Sequence, residues 1–164
     1  AIGIGFAKAS ELDSSFAYME DAVSRCEGCT EELTYLLKTG QIASAMGRSS
    51  TAKSYARKVL AIDSDNGDAY MLIGDAIAGS SQSCNDGALG SRSVFWVASD
   101  YYARAKRLDA ELADLAGKKM NNMAKQFPTV DDIFTYGKQA GGTFTVPNKP
   151  GCPCSGETTT IRVR

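Results

Sequence analysis

The chain has 164 residues, 43% of them hydrophobic, which suits one domain of ordinary size with a packed interior. Its formal net charge is −1, with 18 Lys and Arg scattered among 19 Asp and Glu, so nucleic acid is not an expected partner. It contains no histidine, which removes the commonest general base and the commonest metal ligand and argues against an enzyme.

The opening AIGIGFAKAS is apolar for its first seven residues only, and no stretch supplies the roughly 18 to 20 uninterrupted apolar residues of a membrane helix. No basic segment and no initiating methionine precede it, so the chain reads as a mature or trimmed form from which any targeting segment is gone. Ala1 to Ser10 are expected to form a first helix, with Ile2, Gly3 and Phe6 at the places that Thr39, Gly40 and Ala43 hold later. Asp13 or Ser14 would then cap a partner helix running to Arg25, with Ser15, Met19 and Ala22 facing inward and Gly28 stopping it.

Thr30 is expected to cap the next helix, with Glu31 and Glu32 in the first turn where the helix dipole favours them. Leu33, Leu36, Leu37, Gly40 and Ala43 keep helical spacing until Met46-Gly47-Arg48. Ser50 or Thr51 opens a helix to Ala61, and Asp65-Asn66-Gly67-Asp68 makes the turn before Ala69. GSSQSCNDGALGSR, residues 79–92, is rich in glycine and serine and reads as an inserted loop. A long loop in a compact unit is more often functional or pinned than idle, and Cys84 is the candidate pin.

Val94 to Arg107 form the following helix, whose Phe95, Trp96, Tyr101 and Tyr102 read as core. Leu112 to Gln126 form another, with Leu112, Leu115, Ala116, Met120 and Met123 on one side. Thr129 and Asp132 start a short helix in the manner of a capping box, ending at Gly137, and these last helices would cover the end of the array. Residues 138–164 change character. GGTFTV and TTTIRVR alternate as half-buried strands do, placing Phe144 with Val146 and Ile161 with Val163, and PNKPGCPCSGE joins them into a β-hairpin. Two strands are marginal alone, so the hairpin should pack on the helical part, residues 1–137, or be tied to it covalently.

Five cysteines, Cys26, Cys29, Cys84, Cys152 and Cys154, sit in loops or at helix ends rather than on apolar helix faces, which suggests cross-links and an oxidising compartment. Cys84 can bridge to Cys152 or to Cys154, stapling two loops. Cys26 and Cys29 can pair locally or stay as thiols, and the odd total leaves at least one thiol free or intermolecular. A four-cysteine zinc site is not expected, because CEGC and CPC lie at opposite ends of the chain and the second spacing is too short. A thioredoxin-like reading of CEGC lacks its βαβ setting.

Two segments between Leu36 and Asp109 superpose at a spacing of 34 residues, Leu36 returning as Tyr70 and Gly40 as Gly74. Such a period in a helical sequence marks a helix-turn-helix solenoid, whose units bury one face on the next unit. The residues resemble those of the tetratricopeptide repeat family. That family sets a large apolar residue four places before a small one in its first helix, as Leu36 with Gly40 and Tyr70 with Gly74 do here. Its second helix resembles Ala98, Tyr102, Ala105, Leu108 and Asp109, and also Ala52, Ala56, Val59, Ile62 and Asp63, where Ala56 replaces the aromatic. The family's turn proline is Ser64 in one unit and Ala110 in the other. The ending SGETTTIRVR is similar to the tails of periplasmic tetratricopeptide proteins of Gram-negative bacteria.

The resemblance implies an all-α solenoid of about three units plus capping helices, with the small C-terminal hairpin. It also implies a concave surface carrying Thr34, Leu37, Gln41, Ser44 and Ala45 from one unit and Asp68, Met71, Asp75 and Ala78 from the next. Those positions hold carboxylates rather than lysines, so the basic clamp with which some members hold a peptide's terminal carboxylate is not expected. The expected function is protein or peptide binding, as a scaffold or adaptor in an extracytoplasmic, periplasmic complex, with no cofactor, no bound metal and no catalytic residue. The alternatives are a permanent structural subunit whose hairpin adds a strand to a partner's sheet, and a thiol-disulfide protein acting through Cys26 and Cys29. Asp131 and Asp132 at a helix start are explained by the dipole and form no catalytic couple.

Overall fold

Helix α1, Ile2–Ser24, is one continuous helix where a helical pair broken at Asp13 or Ser14 was expected. The computed structural model describes residues 2–164, with side-chain surroundings from Lys8 onward. The expected crossing through Ile2, Gly3 and Phe6 therefore lies outside the residues whose side-chain surroundings are described. No glycine or proline occurs between Lys8 and Ser24, and Asp and Ser inside a helix cost too little to stop it. The inward stripe also differs from the expected one. Leu12, Phe16, Met19 and Val23, spaced four, three and four, turn toward the interior, with Phe16 buried and Ser15 exposed.

Cys26 to Glu31 turn the chain into α2, Glu32–Ala45. Thr30 does not cap it. The capping position is Glu31, without a side-chain bond, and the turn is tied instead by the Glu32 carboxylate, which accepts the Gly28 N–H at 2.9 Å. Gly28 has φ +75°, which lets the chain reverse there. Helix α3, Ser49–Ile62, follows Gly47, and α4, Gly67–Ala78, opens on Asn66, whose side chain accepts the Ala69 N–H at 3.0 Å.

The inserted loop ends at α5, Gly90–Leu108, four residues before the expected start. Asp86 causes the early start: its carboxylate accepts the N–H groups of Ala88 at 2.9 Å and Gly90 at 2.8 Å. A side chain at position 90 would collide with the Cys84 carbonyl, so the loop folds this tightly only on glycine. Helix α6 spans Ala113–Ala124, and α7, Val130–Thr135, carries the expected reciprocal cap between Thr129 and Asp132. Thr129 holds the Asp132 carboxyl below its ordinary range, its backbone N–H contributing most.

Consecutive helices pack on one another from α1 to α6, and α2 also touches α4. Gly40 and Gly74 sit where helices approach most closely. A Cβ on Gly40 would lie 3.2 Å from Tyr55 Cβ of α3 and 2.5 Å from Leu72 Cδ2 of α4. One on Gly74 would lie 2.5 Å from the Tyr102 ring of α5.

Strands β1, Thr143–Thr145, and β2, Thr158–Thr160, pair antiparallel, with Phe144 opposite Thr159. Phe144, Val146 and Ile161 are buried, and the Phe144 ring meets Trp96 edge-on at 5.5 Å. Polar contacts fasten the tail to α5. The Trp96 indole donates to the Arg162 carbonyl at 2.8 Å, the Arg162 guanidinium returns a bond to the Trp96 carbonyl at 2.6 Å, and Thr159 donates to Asp100 at 2.5 Å. The molecule is thus mostly helical, with seven helices among the described residues and one small antiparallel hairpin. No described helix is long and apolar enough to cross a membrane.

Candidate functional site

Four of the residues expected on a concave surface come together. Gln41 of α2 and Asp68, Met71 and Asp75 of α4 line a cleft of about 270 Å³ whose far wall is Leu112, Leu115 and Lys119. The spacing 68, 71, 75 places the α4 residues on one face of one helix. The far wall was not expected as part of a groove, although Leu115 and Lys119 share a helix face and could have been read that way. Leu115 lies 48% exposed at the cleft, apolar surface open to water.

Asp75 is engaged within the molecule. Its carboxylate accepts from the Tyr102 hydroxyl at 2.7 Å and from the Lys119 ammonium at 2.6 Å, and that ammonium also lies 5.6 Å from the centre of the Tyr102 ring. Burial, then the Asp75 charge and the hydrogen bond to it, pushes the Tyr102 hydroxyl far above its ordinary range. Asp68 and Gln41 point to solvent and Met71 is buried at the floor. The cleft therefore offers one carboxylate, one amide and an apolar floor, with a lysine–aspartate pair at one side.

The other expected groove residues are placed elsewhere. Thr34 is exposed, Leu37 packs against the core, and Ser44 and Ala78 are half-buried, none of them at the cleft. Ala45 borders a separate hollow shared with Arg48 and with Leu12 in the first half of α1.

The cysteines form two separate groups. Cys26 and Cys29 lie at disulfide distance with Cα atoms 5.0 Å apart, and Cys84 is bonded to Cys152 with Cα atoms 4.8 Å apart. Of the two partners open to Cys84, Cys152 is the one used. Cys154 remains a buried thiol, 3.8 Å from the Cys84 sulfur and 3.7 Å from the Cys152 sulfur. Burial pushes this thiol up to about 11, the Glu157 charge adding to the shift and Lys53 partly opposing it. Lys53, only 4% exposed, is a buried neighbour that the sequence does not announce. Its ammonium pairs with the Glu157 carboxylate, which also accepts from the Tyr101 hydroxyl at 3.0 Å. Nothing in the local pattern marks it, because it is one polar residue on an amphipathic helix and its partners come from the distant hairpin loop.

No family model, no curated protein and no solved structure matches this chain.

Proposed function

We propose that this protein is a binding module, a solenoid of helix pairs related to the tetratricopeptide repeat, that holds a segment of a partner protein in the cleft between α2, α4 and α6. The observation carrying the proposal is the convergence of Gln41, Asp68, Met71 and Asp75 on one cleft opposite Leu112 and Leu115. An apolar floor with a few polar groups at the edge is the chemistry of a peptide site, in which side chains supply burial and edge groups set orientation. Supporting the repeat reading, Gly40 and Gly74, 34 positions apart, each lie against the helix that follows their own. The exposed Asp68 favours a partner segment that presents a lysine, an arginine or a free amine. The pairs Cys26–Cys29 and Cys84–Cys152 support an extracytoplasmic setting, where such bonds persist.

The test is affinity capture from the native source with the wild-type chain and with an Asp68→Arg, Gln41→Arg variant, after circular dichroism has matched the two. A partner retained by the wild type and lost by the variant supports the cleft. Identical partners on both would show that binding runs through another surface.

A further inference from the structure

We propose that the reduced chain binds one monovalent copper ion through the thiolates of Cys84, Cys152 and Cys154. The three sulfurs come from two distant parts of the chain, the inserted loop and the hairpin loop, and all lie within 4.8 Å of one another. A metal–thiolate bond of about 2.3 Å sets sulfurs about 3.8 to 4.0 Å apart around a four- or three-coordinate ion. The Cys154 sulfur already stands 3.8 Å from Cys84 and 3.7 Å from Cys152, so two edges of the ligand triangle exist before any metal arrives.

Reduction opens the third edge. An external dithiol delivers two electrons and two protons to the Cys84–Cys152 bond, leaving two thiols and becoming a disulfide itself. Binding of the ion then releases the three thiol protons to solvent.

The surroundings select the ion. All three cysteines are buried, at 1%, 7% and 0% exposure, and the chain has no histidine to complete a tetrahedron. The chain supplies no imidazole as a fourth ligand and the three sulfurs are largely shielded, which disfavours zinc and suits a soft cation content with three sulfurs. Three thiolates around a monovalent cation carry excess negative charge. The Lys53 ammonium donates to the Pro153 carbonyl between two of the ligands at 2.7 Å, but its charge is balanced by Glu157, so the charge that holds the thiolates is the ion's own.

The experiment uses the full chain carrying Cys26→Ser and Cys29→Ser, so that no other thiol pair competes. It is reduced with a phosphine, kept free of oxygen, and titrated with cuprous ion against a chromogenic cuprous chelator. The expected result is withdrawal of one equivalent of copper with the helical circular dichroism unchanged, and an X-ray absorption spectrum with three sulfur neighbours. Cys84→Ser and Cys154→Ser, each added singly, should lose the one-equivalent endpoint. Failure to withdraw copper, a two-sulfur spectrum, or a Cys84→Ser chain that binds as before would overturn the proposal. Loss of the helical signal on reduction would overturn it as well, since the site needs the folded arrangement.

Discussion

The Lys53 ammonium on α3 donates to the carbonyl oxygen of Pro153 at 2.7 Å, across 100 residues of chain. It also pairs with Glu157 and sits 5.9 Å from the centre of the Tyr101 ring. One buried cation thus joins α3, α5 and the hairpin loop, beside the covalent tie from Cys84 to Cys152.

Removing that cation should be costly. Lys53→Ala strands the Glu157 carboxylate in a partly buried site, and the expected loss is about 3 kcal/mol of unfolding free energy. Lys53→Met with Glu157→Gln takes away both charges and should lie closer to wild type than Lys53→Ala does. Urea unfolding with an unchanged m-value measures both.

The close helix crossings give a graded series. Gly74→Ala would push a methyl group into the buried Tyr102 ring, whose hydroxyl is held by Asp75, and should destabilise by about 1–3 kcal/mol. At Gly40 the nearest atom is a terminal methyl of Leu72, which can rotate aside, so Gly40→Ala should cost less. Gly117 lies inside α6, and a Cβ added there would meet nothing within 4 Å, so Gly117→Ala should stabilise by about 1 kcal/mol through helix propensity. Thermal unfolding of the three variants should rank them in that order.

The disulfide should map to Cys84–Cys152 by mass spectrometry of the unreduced chain. Cys84→Ala frees two loops 68 residues apart and should lower stability by about 4 kcal/mol on chain-entropy grounds. In Cys152→Ser the thiol of Cys154, 3.8 Å from Cys84, is the next partner, and a Cys84–Cys154 peptide should appear. In the wild type that exchange should be slow. The Cys154 sulfur is nearly equidistant from both bonded sulfurs, hence beside their bond rather than on its extension, where a displacing thiolate must stand.

Alkaline pH should weaken the fold. The Cys154 thiol rises in the folded chain from an ordinary 9.0 to about 11, so the folded state holds a proton that the unfolded state gives up. The stability it contributes is complete below pH 9 and is lost as the pH climbs through about 11. Tyr55, pushed to about 12 by burial and then by its bond to Glu20, extends the decline to higher pH. Denaturant unfolding from pH 8 to 11 should show the loss, and Cys154→Ala should flatten its first part. At pH 8 an alkylating reagent should label Cys154 only after unfolding.

Several features were readable because they are local. The Thr129–Asp132 cap, the turn at Asn66, the break at Gly47 and the alternation around Phe144 depend on residues within one or two turns of each other. The misread parts needed neighbours from elsewhere. Asp13 and Ser14 looked like a cap, yet a cap forms only where the chain stops being helical, and the stripe Leu12, Phe16, Met19 and Val23 gains more by continuing into the interior. Thr30 lost its role to Glu32, whose longer side chain reaches Gly28 across the turn.

What the residues determined by themselves was the alternation of helices and turns, the hairpin, and the 34-residue spacing of Gly40 and Gly74, since propensity, capping and periodicity act within a few residues. Tertiary structure decided which of two cysteines Cys84 takes, that Leu112, Leu115 and Lys119 close one side of the cleft, and that Lys53 is buried against the hairpin loop. Each of those outcomes depends on distances between groups tens of residues apart, and only the packed chain sets such distances.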